Sequence, residues 1–382
     1  MNSPNWNDPD PTFVPPIQRT KTTMRPHSSK PKQNKRPFRR PFQHKFKQPP
    51  ENIPPRIHAI LAREAPKAVV FRRGPSGQVC TLGWDLETDT FTMGQWLKGR
   101  IYEYRSDLSP DGELMIYFVT DFRRPDTIQQ LAEKLREEKF GTIERGSGDW
   151  DGVSRRVKEH RRQMEEINQT KSDELDQFAA TPEASSPSWT AISRAPYLKA
   201  LDLWFNGTAW NGGGLFMDNQ KVWLNTPAPG IATLRRARFD LDLDVSQEFP
   251  FETYFGGECP GVYCHRLVRD GWTAKHQAEN SVVYEKQLSF GWALQKLFVS
   301  GKPGKGYGCY WERHRIINPG RRLKVDGSGW RWADYDAPRN RILYAKNGML
   351  FALPVAEDFG MPVMLKNFND MSFEAVKAPF LP

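Results

Sequence analysis

The chain has 382 residues, with 55 Lys plus Arg against 45 Asp plus Glu and 13 Trp within an aromatic content of 12%. That length and aromatic content exclude a wholly disordered polymer and leave room for a sizeable core. No apolar run approaches the roughly 18 residues of a membrane span, the first residues lack a secretory pattern, and four cysteines do not make a disulfide scaffold. A cytoplasmic protein is the expectation.

Most of the excess charge sits at one end. Residues 1–56 hold 12 Lys/Arg, 3 Asp/Glu, 13 of the 31 prolines and no leucine. Such a stretch has too little apolar surface to offset the entropy of ordering, so residues 1–55 read as a disordered basic arm. Within it, Lys35, Arg36, Arg39, Arg40, Lys45 and Lys47 alternate with Phe38, Phe42 and Phe46. Pro37 and Pro41 oppose a helix, leaving an extended ribbon. Its cations neutralise phosphates and its rings offer faces to bases, so nucleic acid or another polyanion is its expected partner. A solvated linker without a fixed partner is the simpler reading of the same residues.

From residue 56 to the end the pattern is short apolar runs between turns. Strands are expected near Arg56–Ile60 and Ala68–Phe71, and Ser109-Pro110-Asp111-Gly112 turns into ELMIYFV. Residues 123–188 break the pattern: mixed charges with Leu131 and Leu135, then Val157, Met164 and Ile167, fit one or two polar helices in a largely mobile insertion. Beyond it, Phe239 to Val245 alternates strictly, which on a strand aligns Asp240, Asp242 and Asp244, with Arg235, Arg236 and Arg238 across a hairpin. Asp270-Gly271, Asp326-Gly327 and Asn347-Gly348 read as turns, the last as a two-residue hairpin. Met371 to Val376 reads as a closing strand.

Segments 107–119, 210–225, 290–311 and 332–354 look alike, and the last two begin 42 residues apart. Allowing for the insertion, the period is about 40 residues, the size of a propeller blade. A further blade is expected around 254–272, and Trp96, Trp204, Trp272 and Trp330 each fall at a hairpin end. The expected fold is all-β: a β-propeller of about five four-stranded blades over 56–382, its aromatics wedged between blades.

Ser109-Pro110-Asp111-Gly112 followed by Leu114 to Phe118 resembles the repeat signature of TolB-like β-propellers, within the broader WD-repeat-like class, and Trp332 to Ala345 resembles a degenerate second copy without the Gly. The remainder is similar to a bacterial protein group with no activity to carry over. The resemblance implies a fold and no active site.

Catalytic signatures are scarce: no G-x-S-x-G elbow, P-loop or H-E-x-x-H occurs, and no cofactor is expected. The glycine-rich run Gly301 to Gly308 lacks P-loop spacing and reads as a hairpin loop. Cys259, Cys264 and His265, with Cys309 and His314 further on, are metal-ligand candidates of incomplete spacing. Five-bladed propellers also host glycosidases with a carboxylate pair across the funnel, for which Asp85, Asp107, Asp202, Asp334 and Asp336 are candidates; Asp111, Asp270 and Asp326 are explained as turn formers. The leading expectation is a non-catalytic propeller that binds a macromolecular partner, most simply a protein, on one face. The rival is a carbohydrate-active enzyme.

Overall fold

Period-two alternation builds the first sheet, an antiparallel meander of β1 (Arg56–Leu61), β2 (Lys67–Arg73), β3 (Gln78–Asp85) and β4 (Thr90–Lys98) in chain order. Successive side chains leave a strand on opposite faces. Val69 and Phe71 therefore join one apolar cluster while Ala68 and Val70 join another, so both faces are covered. This computed structural model describes residues 53–74, 77–142, 150–226, 234–237, 241–301 and 308–380. The chain divides after Ile53, and the account below concerns the unit from Pro54 onward. The Lys35–Lys47 ribbon, Phe239, Asp240 and residues 302–307 lie outside the described residues.

After β4 come β5 (Arg100–Ile101), β6 (Asp107–Leu108) and β7 (Leu114–Thr120). The predicted Ser-Pro-Asp-Gly turn joins β6 to β7: Ser109 Oγ donates to Asp111 Oδ1 at 2.6 Å, accepts from the Leu114 N–H at 2.9 Å, and Gly112 takes a φ of 76°. The chain then leaves the sheet for α1 (Thr127–Phe140), α2 (Trp150–Thr170) and α3 (Ser172–Ala179), three helices where one or two were expected. They are docked, with Leu135, Met164, Ile167 and Leu175 in the same cluster as Val69 and Phe71, whereas Val157 faces solvent.

The chain returns as β8 (Ser188–Arg194), which pairs with β7, and β9 (Asp202–Phe205). A third sheet opens with β10 (Gly214–Phe216) and β11 (Lys221–Leu224). β12 (Leu234–Ala237) goes back to pair with β9, while β13 (Asp244–Ser246) lies parallel to β11. The expected aspartate strand and hairpin are therefore not formed: Leu241, Asp242 and Leu243 are outside any strand, and Asp242 has a φ of 49°.

The blade expected around 254–272 is instead a helix, α4 (Cys259–Arg269). The turn expected at Asp270-Gly271 is its cap: Trp272 N–H reaches the Leu267 carbonyl, Gly271 N–H reaches Val268, and Gly271 has a φ of 85°. Cys259, Tyr263 and Leu267 recur every fourth residue as one apolar face, and His265 and Arg266 on the polar side are buried as well.

The fourth sheet follows in order, β14 (Thr273–Ala278), β15 (Ser281–Gln287), β16 (Ala293–Ser300), β17 (Tyr310–Asn318) and β18 (Leu323–Asp326), and then the fifth, β19 (Trp330–Asp336), β20 (Arg341–Lys346), β21 (Met349–Pro354) and β22 (Val363–Asn367). Asn347-Gly348 makes the predicted tight hairpin, with φ of 51° and 73°. Residues 371–376 form no strand. They lie along the first sheet through Gln95 Nε2 to the Val376 carbonyl at 2.7 Å and the Phe373–Trp96 ring contact.

The described protein is mostly β, in multiple antiparallel sheets. Among the described residues these hold four, six, three, five and four strands, so uniform four-stranded units are absent, and the four look-alike segments occupy unlike strand positions. No described helix is long and apolar enough to cross a membrane.

Candidate functional site

Each predicted carboxylate is occupied. Asp85 caps its own turn, accepting from the N–H groups of Glu87 and Thr88 at 2.8 and 3.0 Å, and the Thr88 amide leads in lowering its pKa. Asp107 is fully buried, accepts from Phe216 N–H at 2.8 Å and meets both terminal nitrogens of Arg269. Asp202 is held by Arg235, and burial raises its pKa against that partner. Asp334 accepts from Lys286 Nζ at 2.6 Å and Asp336 from Arg341 Nε at 2.8 Å. Arg341 also grips Asp89, tying the fifth sheet to the first. Asp111 and Asp326 serve their turns as expected.

The metal candidates do not converge. Among the described residues no group of three or more His, Cys, Asp or Glu side chains is placed to hold an ion. Cys259 Sγ lies 3.4 Å from Arg105 Nε, and burial raises its pKa; burial pushes the Cys264 thiol up to about 12. His265 stacks on Phe251 at 3.8 Å between ring centroids, and burial lowers it to about 4. Cys309 is exposed, and His314 belongs to a different cluster.

That cluster is where the fold concentrates its buried charge. A cleft of 710 Å³ opens between the β1–β2 turn, the end of α4 and the β19–β20 turn. Tyr263 and Arg266 of α4, Lys296 of β16 and Trp332 of β19 line its inner part. Lys296 Nζ donates to the Tyr263 hydroxyl at 2.8 Å, and that hydroxyl donates to Glu312. Arg266 donates to the carbonyls of Glu103 and Ser106 and lies 3.0 Å from His58 Nε2. His314 Nε2 lies 3.2 Å from Glu312 Oε2. A second hollow of 30 Å³ is lined by His58, Tyr104 and Glu312 and shares no wall residue with the cleft, so the network spans from one hollow to the other. Aromatic rings pack it: Tyr104 sits 4.6 Å from Tyr263 and 5.6 Å from Phe298.

Burial dominates the titrations. It lowers Lys296 and holds His58 well below its ordinary value, with Arg266 repelling a proton there as well. Burial alone would raise Glu312, but Lys296 and His314 outweigh it and lower the carboxyl to about 2.

None of Lys296, Tyr263, Arg266 or Glu312 was a predicted site residue. Two signals pointed to them. Lys296 interrupts the apolar face of β16 between Leu294 and Phe298, and Glu312 and His314 alternate with Ile316 on the buried face of β17. Compared with known proteins, the chain matches no family model and no curated protein.

Proposed function

We propose that this chain is a non-catalytic binding or scaffold protein, that its sheets close into a propeller-like ring of about five units, and that it recognises a macromolecular partner on one face. The observation that carries this reading is that every carboxylate proposed for funnel chemistry is already committed to a cation or a turn. A retaining or inverting glycosidase needs two carboxyls facing one bond across an open gap. Here Tyr263, Lys296 and Trp332 line the inner cleft, and the carboxylates Asp334 and Asp336 on its wall are paired with Lys286 and Arg341.

Ring closure draws support from the succession of apolar clusters. They join the first sheet to the second, the second to the third, the third to α4, α4 to the fourth and fifth, and the fifth back to the first. α4 lies between the third and fourth sheets in that circuit. The basic arm extends the reading, since its cation–Phe run suits a polyanion.

Two measurements test it. Turnover of chromogenic glycosides that disappears in Asp334→Asn would overturn the non-catalytic reading; no turnover above buffer is expected. For the arm, single-stranded oligonucleotide affinity is titrated against salt with the full chain and with residues 1–56 deleted. The full chain should bind more tightly and lose affinity more steeply as salt rises. Equal binding by both removes the polyanion role.

A further inference from the structure

We propose that the floor of the 710 Å³ cleft is an oxyanion site, at which a small polar organic anion sets its carboxylate or phosphate group against Lys296. This inference depends neither on ring closure nor on a macromolecular partner.

The argument is one of missing counter-charge. Lys296 and Arg266 are 1% and 3% exposed, and both line the cleft. Buried charges are ordinarily paired and hydrogen-bonded. Among the described residues the Lys296 ammonium makes one hydrogen bond, to the neutral Tyr263 hydroxyl, lies 4.6 Å from the Trp272 ring centre, and has its nearest carboxylate, Glu312, at 3.6 Å. Arg266 makes no ion pair among the described residues and is solvated by two carbonyls and His58. Lys296 thus has one carboxylate within 4 Å and Arg266 none among the described residues, and that one carboxylate is already bonded by Tyr263 and faced by His314. Other cations lining the cleft are matched: Arg269 by Asp107 and Lys286 by Asp334.

The rest of the cleft suits such a ligand. Its volume lies within the range of metabolite sites. Arg63 at the mouth is exposed, and Arg339 holds Asp336 and Glu87 only at 3.4 and 3.9 Å, so both guanidinium groups can attract an anion inward. Trp332 and Tyr335 present aromatic walls, while Asp334 and Asp270 favour a body carrying hydroxyl donors over an apolar one.

The test is thermal unfolding and calorimetry of the full chain with citrate, glucose 6-phosphate, inorganic phosphate, glucose and an oligo-aspartate peptide, at ionic strength fixed with sodium chloride. Citrate or glucose 6-phosphate should raise Tm by about 2 °C or more at saturation, and glucose should not. Lys296→Met leaves the buried Glu312 with only His314 and Tyr263 beside it, so its fold is checked first by unliganded Tm; the folded variant should bind the anion about ten-fold or more weakly, the loss of one charge-assisted hydrogen bond. Arg339→Gln, at the rim, should keep the unliganded Tm and weaken binding less. A shift with the peptide alone would keep the oxyanion site and assign its carboxylate to a protein partner. The proposal is overturned if no anion outdoes chloride, or if Lys296→Met binds as tightly as the parent. Should Lys296→Met fail to fold, unchanged affinity in Arg339→Gln overturns it equally.

Discussion

The contact between the fifth and first sheets and the contact of α4 with the fourth sheet bury comparable side chains by opposite means. At the first, Trp84, Leu343, Leu350 and Phe368 pack with Val70 and Leu82 into a cluster of apolar groups, and Arg341 closes the edge against Asp89 and Asp336. At the second, Lys296, Tyr263, Glu312, Arg266 and His58 occupy the interior among Phe298, Trp272 and Tyr104. Apolar burial stabilises without directional demands. Buried ions are seldom worth more than hydrophobic residues of the same shape. The α4 contact is therefore poorly explained by stability alone, and its charge excess faces the cleft.

Breaking a well-matched buried pair should have the largest effect. Arg269 reaches from the end of α4 to Asp107, 162 residues away in sequence, and Asp107 is wholly buried. Arg269→Met strands a buried carboxylate and should cost about 3–5 kcal/mol in urea unfolding. Adding Asp107→Asn should recover part of that loss, because the amide carries no charge to desolvate. A full loss in Arg269→Met with no recovery in the double variant would mean that packing, not charge, dominates there.

The apolar contact should respond to volume alone. Leu350 is fully buried in β21, within the cluster that joins the first and fifth sheets. Leu350→Ala should cost about 2–5 kcal/mol, the transfer loss plus the cavity left behind, with no dependence on salt. A marked salt dependence would erase the distinction between the two contacts.

What could be read in the sequence follows the same division. Asn347-Gly348 and Ser109 to Gly112 were legible because a turn's chemistry lies within four residues. α4 was not: its apolar period runs for only 11 residues and opens on a proline and a glycine, and Asp270-Gly271 mimicked a hairpin turn while capping a helix. The Asp107–Arg269 pair and the Lys296–Tyr263–Glu312 chain join residues far apart in sequence, which no local spacing announces. A lysine inside an apolar strand was the visible trace. Asp334 and Asp336 were legible as residues near a cavity but not as ion-paired ones, since Lys286 and Arg341 reach them through tertiary packing or across a hairpin.

His265 offers the smallest and most local test, at a contact that is apolar except for one imidazole. It is buried against Phe251, with Phe249, Phe255 and Trp223 around it, and its Nε2 has no hydrogen-bond partner among the described residues. Burial lowers its pKa from 6.5 to about 4. The sign follows from proton uptake. Above the unfolded value neither state binds the proton and the residue is silent. As pH falls below 6.5 the unfolded chain takes up a proton that the folded chain refuses, so stability drops until about pH 4 and then levels. His58 and His314 shift in the same direction and add to the decline. Unfolding of the parent and of His265→Gln between pH 7 and pH 4 separates the contributions. The variant should lose less stability on acidification, by one proton's share of the slope. Parallel curves would show that the folded imidazole takes up its proton at the same pH as in the unfolded chain, and the contact would then have to be counted with the charged interior of α4 rather than with the apolar packing of the first and fifth sheets.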